Sequence, residues 1–266
     1  MKLYKSFSVL ILLFCDLSIS LAQNPFNKNQ LDSIFSGYSV SFIVTESNGD
    51  LIYSFNPEED NKPDSPCSTF KIFNSLVALE TKTIPDENYL MKWNGEKTWN
   101  ENWNRDHTLR SAFPFSVVWY YRELARMIGQ DSMQKYIDLA DYGNKDLSGG
   151  IDKFWLVNSF KVTPMDQLKL IKGLVNYELP FSKRNIDIVK SIMILYEDSI
   201  SVFRGKTGSG SYDGKTDTGW FIGYITIRDS VKLFVIRLNG LGASGLKAKG
   251  MLIKIFNEIY STKIQG

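Results

Sequence analysis

The chain is poor in the residues from which metal centres, disulfide frameworks and nucleic-acid surfaces are built. Of its 266 residues two are cysteine and one is histidine, which excludes zinc sites of the usual Cys/His kind and any disulfide scaffold of several bridges. A Ser-His-Asp triad would have to use His107 with Asp106 or another acid, and no Gly-x-Ser-x-Gly elbow occurs to carry one. An excess of either charge is also lacking. The 31 basic and 29 acidic residues leave +2 with no basic block, so neither nucleic acid nor a polybasic membrane patch is implied. No Pro/Gly-rich linker, repeat or low-complexity segment divides the chain into modules. Core-forming residues are plentiful: 43% hydrophobic and 14% aromatic content is enough for one large or two small domains.

Lys2 and Lys5 precede the apolar run Val9-Leu10-Ile11-Leu12-Leu13-Phe14, and Ser20-Leu21-Ala22 supplies small residues at the cleavage positions. Residues 1–22 therefore read as a signal peptide cut near Ala22, which places the mature protein in the periplasm or outside the cell. The run is too short to span a bilayer, and nothing later approaches about 20 uninterrupted apolar residues, so stable membrane insertion is not expected. A lipid anchor on Cys15 is disfavoured by the bulky Leu13-Phe14 ahead of it. Cleavage removes Lys2, Lys5, Asp16 and Cys15, leaving 29 basic and 28 acidic residues and a single cysteine, Cys67. An intramolecular disulfide is then impossible, and stability must come from packing.

The period of the hydrophobic pattern changes along the chain. Tyr38 to Thr45 alternates, Ser47-Asn48-Gly49-Asp50 is turn chemistry and Leu51 to Phe55 resumes the alternation, a hairpin. The same grammar returns late, with strands over Ser201 to Lys206, Gly219 to Ile227 and Val231 to Arg237. Between them the spacing is helical over Thr69 to Glu80, Phe115 to Ile128, Asp131 to Ala140, Pro164 to Asn176 and Lys183 to Met193. Gly245 to Tyr260 is a last helix, placed to cover the sheet. The fold class is thus α/β: an antiparallel sheet built from both chain ends and flanked by helices, with an inserted all-helical lobe. The sheet lobe is assigned to about 23–62 plus 200–266 and the helical lobe to about 63–199 of one catalytic domain over 23–266. A site is expected in the crevice between the lobes.

Ser68-Thr69-Phe70-Lys71 opens an apolar helix after the rigid approach Pro63-Asp64-Ser65-Pro66. Positions three apart share a helix face, so the Ser68 hydroxyl and the Lys71 amine can meet. A serine hydroxyl needs a base, which an ordinary charged lysine cannot be; Lys71 must be desolvated or chemically modified. The bland reading is a chance Ser-x-x-Lys, with Ser68 a mere helix cap. Ser116-Val117-Val118 at a helix start and Lys206-Thr207-Gly208 on a strand follow in the order used by β-lactamases and penicillin-binding proteins. A strand carrying Lys206 and Thr207 can bind a carboxylate, and Gly208 lets backbone come close.

In its wider context the chain resembles the class D (OXA-type) serine β-lactamases. The resemblance rests on Pro66 to Glu80, on Asp106-His107-Thr108-Leu109 followed by Ser116-Val117-Val118-Trp119-Tyr120, and on Tyr142-Gly143-Asn144. It continues with Phe154-Trp155-Leu156 and with Lys206-Thr207-Gly208 ahead of Gly219-Trp220-Phe221-Ile222-Gly223. It covers roughly residues 30 to 260. It implies β-lactam hydrolysis, with Ser68 acylated and Lys71 carboxylated by carbon dioxide or bicarbonate to a carbamate, without metal or organic cofactor. Carbamate formation requires a neutral amine, hence an apolar pocket, for which Val118, Phe70 and Trp155 are the candidates. By the same resemblance Trp155 donates its indole N–H to the carbamate and Ser116 relays a proton to the leaving nitrogen. Lys206, Thr207 and Gly208 orient substrate, the N–H groups of Ser68 and Ser209 hold the oxyanion, and Tyr142 and Asn144 shape the wall.

One departure stands out. Where the family places an arginine after the last strand, Gly245-Leu246-Lys247-Ala248-Lys249 offers lysines, so the bidentate fork is lost; Lys247 is the candidate replacement as a point charge, and the alternative is that the stretch is a solvated helix start. The alternative within the fold family is a penicillin-binding protein or β-lactam sensor that acylates without turnover. A third reading, a carbohydrate-binding module, would use Trp93, Trp99 and Trp103, although their uneven spacing suits the packing of a long loop better. The partners implied are a β-lactam and no nucleic acid; a homodimer is left open.

Overall fold

The alternating runs at the two ends of the chain come together in one sheet. In the computed structural model residues 25–212, 214 and 217–264 are described, and the leader expected over 1–22 lies outside them. The elements are α1 (Lys28–Ile34), β1 (Ser39–Glu46), β2 (Leu51–Phe55), α2 (Lys71–Glu80), β3 (Leu90–Met91), β4 (His107–Thr108), α3 (Leu109–Ala112) and α4 (Val118–Ile128). They continue with α5 (Gln130–Leu139), α6 (Pro164–Asn176), α7 (Lys183–Ile192), β5 (Ile194–Glu197), β6 (Ser201–Ser211), β7 (Asp217–Ile227), β8 (Ser230–Gly240) and α8 (Gly245–Tyr260). Six strands pair antiparallel in the order β2-β1-β8-β7-β6-β5. Neighbours β1 and β8 come from opposite ends of the chain, with Ser39 opposite Asn239.

Both faces of the sheet are covered, so its central strands carry apolar residues at odd and even positions alike. In β7, Trp220, Ile222 and Tyr224 face the helical lobe, while Phe221 and Ile225 join Phe203, Phe234 and the α8 residues Leu252 and Phe256 on the other side. On the helical side α2 is the hub. Every residue from Lys71 to Leu79 is buried, the mark of a helix enclosed all round. Around it pack Tyr121 and Leu124 of α4, Met133 and Ile137 of α5 and Ile186 and Val189 of α7. Among the described residues no helix is long and apolar enough to cross a membrane.

The departures from the sequence reading lie mostly at element ends. The helix expected from Thr69 is a 3-10 turn, Cys67–Phe70, running into α2. The helix expected from Phe115 begins at Val118 because Ser116 holds a left-handed φ of 54°. Strand β6 does not stop at Lys206 but runs on to Ser211. Strand β5 and helices α1 and α3 carry too few residues to show a period. Since β5 lies in the sheet, the helical lobe ends at Ile192 and not at 199.

Candidate active site

The turn that carries Ser68, the expected nucleophile, is fastened on both sides. Cys67 is held at φ 50°, a conformation that costs a non-glycine residue energy and persists only where neighbours impose it. Its amide donates to the Trp155 carbonyl at 3.0 Å, and Thr69 Oγ1 donates to the Pro66 carbonyl at 2.7 Å. This leaves Ser68 half-buried at the surface of the turn, with Lys71 three residues on and fully buried. The two side chains meet: Lys71 Nζ lies 2.8 Å from Ser68 Oγ. Among the described residues no carboxylate opposes the amine, and the ring of Tyr121 lies 5.2 Å from it. Burial therefore pushes Lys71 down from the usual 10.5 to about 7, where much of it is neutral and able to take the Ser68 proton.

Ser116 enters from the turn ahead of α4. Trp103 Nε1 donates to the Phe115 carbonyl at 2.8 Å and Trp119 Nε1 to the Trp103 carbonyl at 2.7 Å, so the tryptophan-rich loop props this turn. Trp99 meets Trp103 in a tilted contact, 5.4 Å between ring centres, but is 85% exposed. Lys206 reaches across from β6, and its amine donates to Ser116 Oγ and, at 3.1 Å, to the Thr207 carbonyl. Burial first, then the charges of Lys71 and Lys249, hold the Lys206 amine well below its ordinary value. Three lysines thus share one cleft with no acid between them among the described residues.

Two glycines let β6 lie directly on the nucleophile turn. A Cβ on Gly208 would stand 2.7 Å from the Pro66 carbonyl oxygen, and one on Gly210 would stand 2.5 Å from Val157 Cγ2 and 2.7 Å from Cys67 Sγ. Ser209 sits between them, with its hydroxyl committed to α8, where it accepts from the Gly245 amide at 2.9 Å. Thr207 is on the same side as Ser209, against Gly245.

The expectation for Lys247 needs correction. Its amine lies beside Gly242 and donates to Tyr38 Oη at 2.8 Å, away from Lys206. The lysine beside Lys206 is Lys249, one half-turn further along α8. It lines a cavity of about 90 Å³ with Lys206, Thr207, Phe113, Pro114 and Leu246 and has no carboxylate partner among the described residues. Side-chain period and not aligned position decides this, since Leu246 and Lys249 share a helix face. Val118 lines an outer groove with Trp103 and Trp119 while Val117 is buried in the core; the apolar wall at Lys71 includes the Tyr121 ring, which the sequence reading missed. Larger hollows, about 250 Å³ between α5 and α6 and about 390 Å³ beside Tyr89 and Trp119, contain no nucleophile-base pair.

Trp155 is buried against Phe70, ring to ring at 5.4 Å, and its indole N–H has no acceptor. The remaining motif residues are structural. Tyr142 Oη donates to Gln167 Oε1 at 3.0 Å, and Gln167 Nε2 donates to Thr69 Oγ1 at 2.7 Å, which links the wall to the nucleophile turn through a glutamine with no sequence signal. Asn144 Nδ2 donates to the Ser159 carbonyl at 2.9 Å. His107 is buried between Ser111 Oγ at 2.9 Å and the Asn102 carbonyl at 2.8 Å, with no acid orienting it for a triad.

Residues 22–261 match the penicillin binding protein transpeptidase domain family. The chain is similar to the probable β-lactamase YbxI of Bacillus subtilis strain 168, 38% identical over 87% of this chain and 85% of that protein. It is also similar to the regulatory protein BlaR1 of Bacillus licheniformis, 33% identical over 85% of this chain, but it spans only 38% of that longer protein. Among solved structures, FUS-1 (OXA-85), a class D β-lactamase from Fusobacterium nucleatum subsp. polymorphum, superimposes with a TM-score of 0.83 at 33% identity. That match covers 89% of this chain and 100% of the other.

Proposed function

The chain belongs to the class D serine β-lactamases, and from that membership we propose that it hydrolyses β-lactam antibiotics through an acyl-enzyme on Ser68. The observation that carries the reading is the fully buried Lys71 amine, 2.8 Å from the Ser68 hydroxyl and unopposed by any acid among the described residues. A neutral amine there can deprotonate Ser68 or take up carbon dioxide. The buried indole N–H of Trp155, which has no acceptor, suits an added anion: leaving it unpaired costs about 1–3 kcal/mol. Lys71 and Trp155 would hold the carbamate, and when formed it supplies one general base for both half-reactions.

The other roles follow from position. Ser68 Oγ attacks the lactam carbonyl and the C–N bond breaks, with the proton reaching the nitrogen through the Ser116 hydroxyl, which Lys206 holds. The N–H groups of Ser68 and Ser209 receive the oxyanion. Lys206, Thr207 and Lys249 line the cavity that takes the substrate carboxylate, with Lys249 in the part first assigned to Lys247. Water then attacks the acyl carbonyl and frees Ser68. Residues 1–22 act as the export signal.

The experiment is hydrolysis of penicillin or nitrocefin by the mature chain, with and without bicarbonate. Turnover that rises with bicarbonate is expected. Turnover indifferent to it would remove the carbamate, and one stoichiometric burst without turnover would favour a sensor.

A further inference from the structure

Tyr212 lies just past the substrate-binding stretch of β6. It is 41% exposed, yet its hydroxyl has three partners. It donates to Asp64 Oδ1 and accepts from the Ser65 amide at 3.2 Å and from Lys161 Nζ at 3.1 Å. Lys161 Nζ also donates to Ser65 Oγ at 2.9 Å and sits over the phenol ring, 4.8 Å from its centre. The second oxygen of Asp64 accepts from Asn239 Nδ2 at 2.7 Å. Burial and the Asp64 carboxylate push the phenol up to about 12, so it keeps its proton and donates throughout the working range.

The three segments joined here are the end of β6, the approach to the nucleophile, and the exit of the loop that carries Trp155. That loop is closed at its neck, where the Phe160 amide donates to the Phe154 carbonyl at 3.1 Å. Asn144 brackets its exit: the Asn144 amide donates to the Lys161 carbonyl at 2.9 Å, and Asn144 Oδ1 accepts from the Lys161 amide at 3.0 Å. Inside the loop, the Trp155 carbonyl accepts from Cys67. A shift of Lys161 relative to Ser65 therefore carries the tryptophan relative to the nucleophile turn.

We propose that Tyr212 is a positioning residue for Trp155: its hydroxyl, bridging Asp64, Ser65 and Lys161, keeps the indole in register with the Ser68 turn during deacylation. This rests on the role given to Trp155 above. Tyr212→Phe keeps the ring, its contact with Lys161, the direct Lys161–Ser65 bond and the backbone pair of Asp64 with Val162, and removes only the hydroxyl's share of the link.

The test measures acylation and deacylation separately, by rapid mixing with penicillin, in Tyr212→Phe, Trp155→Ala and the double variant. Tyr212→Phe should slow deacylation about tenfold and leave acylation within about twofold. In the Trp155→Ala background it should add less than about twofold, since two residues that act through one another are not additive. Lys161→Met removes the link from the other side together with the direct bond to Ser65 and should slow deacylation at least as much, again with acylation little changed. Normal deacylation in both Tyr212→Phe and Lys161→Met, or an equal Tyr212→Phe factor in both backgrounds, overturns the proposal. Full-rate deacylation by Trp155→Ala alone would instead strike out the Trp155 reading, and this one with it.

Discussion

The Cys67 amide donates to the Trp155 carbonyl at 3.0 Å, making the residue before the nucleophile and the tryptophan of the neighbouring loop one hydrogen-bonded unit. Because the contact is through backbone, it survives replacement of the side chain. Trp155→Phe thus isolates the indole N–H. Deacylation should fall about a hundredfold, the scale of a mispositioned general base, and the acyl-enzyme should accumulate in mass spectra during turnover. In carbon-dioxide-free buffer its melting temperature should fall only by what the smaller ring costs in a fully buried site, because the wild-type N–H has no acceptor among the described residues to lose. A full-rate variant would exclude the N–H from the mechanism.

The depressed Lys71 amine sets the pH dependence. Activity that needs its unprotonated form should rise as pH passes through about 7 and level off above. For stability the sign is fixed by linkage: between about 7 and the usual 10.5 the unfolded chain binds a proton that the folded chain does not, so stability grows with pH across that window. Lys206, held low by burial, acts in the same direction. Lys71→Met should flatten the trend and raise stability at pH 7 by up to a few kcal/mol, while abolishing turnover. Urea unfolding at pH 7 and pH 9 measures this, and an unchanged slope would refute a neutral buried amine.

The two lysines of α8 give opposite expectations. Lys249→Ala should raise KM for carboxylate-bearing β-lactams roughly three- to tenfold, a modest effect because the amine is only half-buried and partly screened. Lys247→Ala should leave KM within about twofold, since that amine is engaged by Tyr38. Steady-state kinetics on both variants decides between them, and the reverse pattern would return the role to Lys247.

Gly208→Ala would set a methyl 2.7 Å from the Pro66 carbonyl oxygen, with Thr69 Cγ2 at 3.1 Å and the Thr69 amide nitrogen at 3.2 Å, so the nearest obstacle is backbone that cannot swing away. Overpacking of that kind costs about 1–3 kcal/mol, and here it would push β6 off the nucleophile turn. We expect a lower melting temperature and at least a tenfold loss of acylation rate. Native-like acylation would mean that the strand and the turn need not touch.

Long periodic segments were legible in the sequence. Pro164 to Asn176 and Gly245 to Tyr260 begin and end where their caps and spacing place them. Ser68, Lys71, Ser116 and Lys206 were legible as motifs because each has a fixed chemical type at a fixed interval. The rest depends on contacts between distant segments. The Tyr121 ring at Lys71, the Gln167 link to Thr69 and the pairing of Lys206 with Lys249 have no local pattern. The start of α4 was misplaced because Ser116 adopts a left-handed backbone that only its surroundings impose.

The pairing of β1 with β8 has a consequence for biosynthesis. Ser39 must wait for Asn239, so loop closure over nearly the whole chain precedes a finished sheet. A nascent polypeptide halted at residue 200 would already contain Ser68 and Lys71 but no β6 to lay across them. Catalytic competence should therefore arrive late and all at once, when the carboxyl-terminal strands emerge and slot between segments made long before.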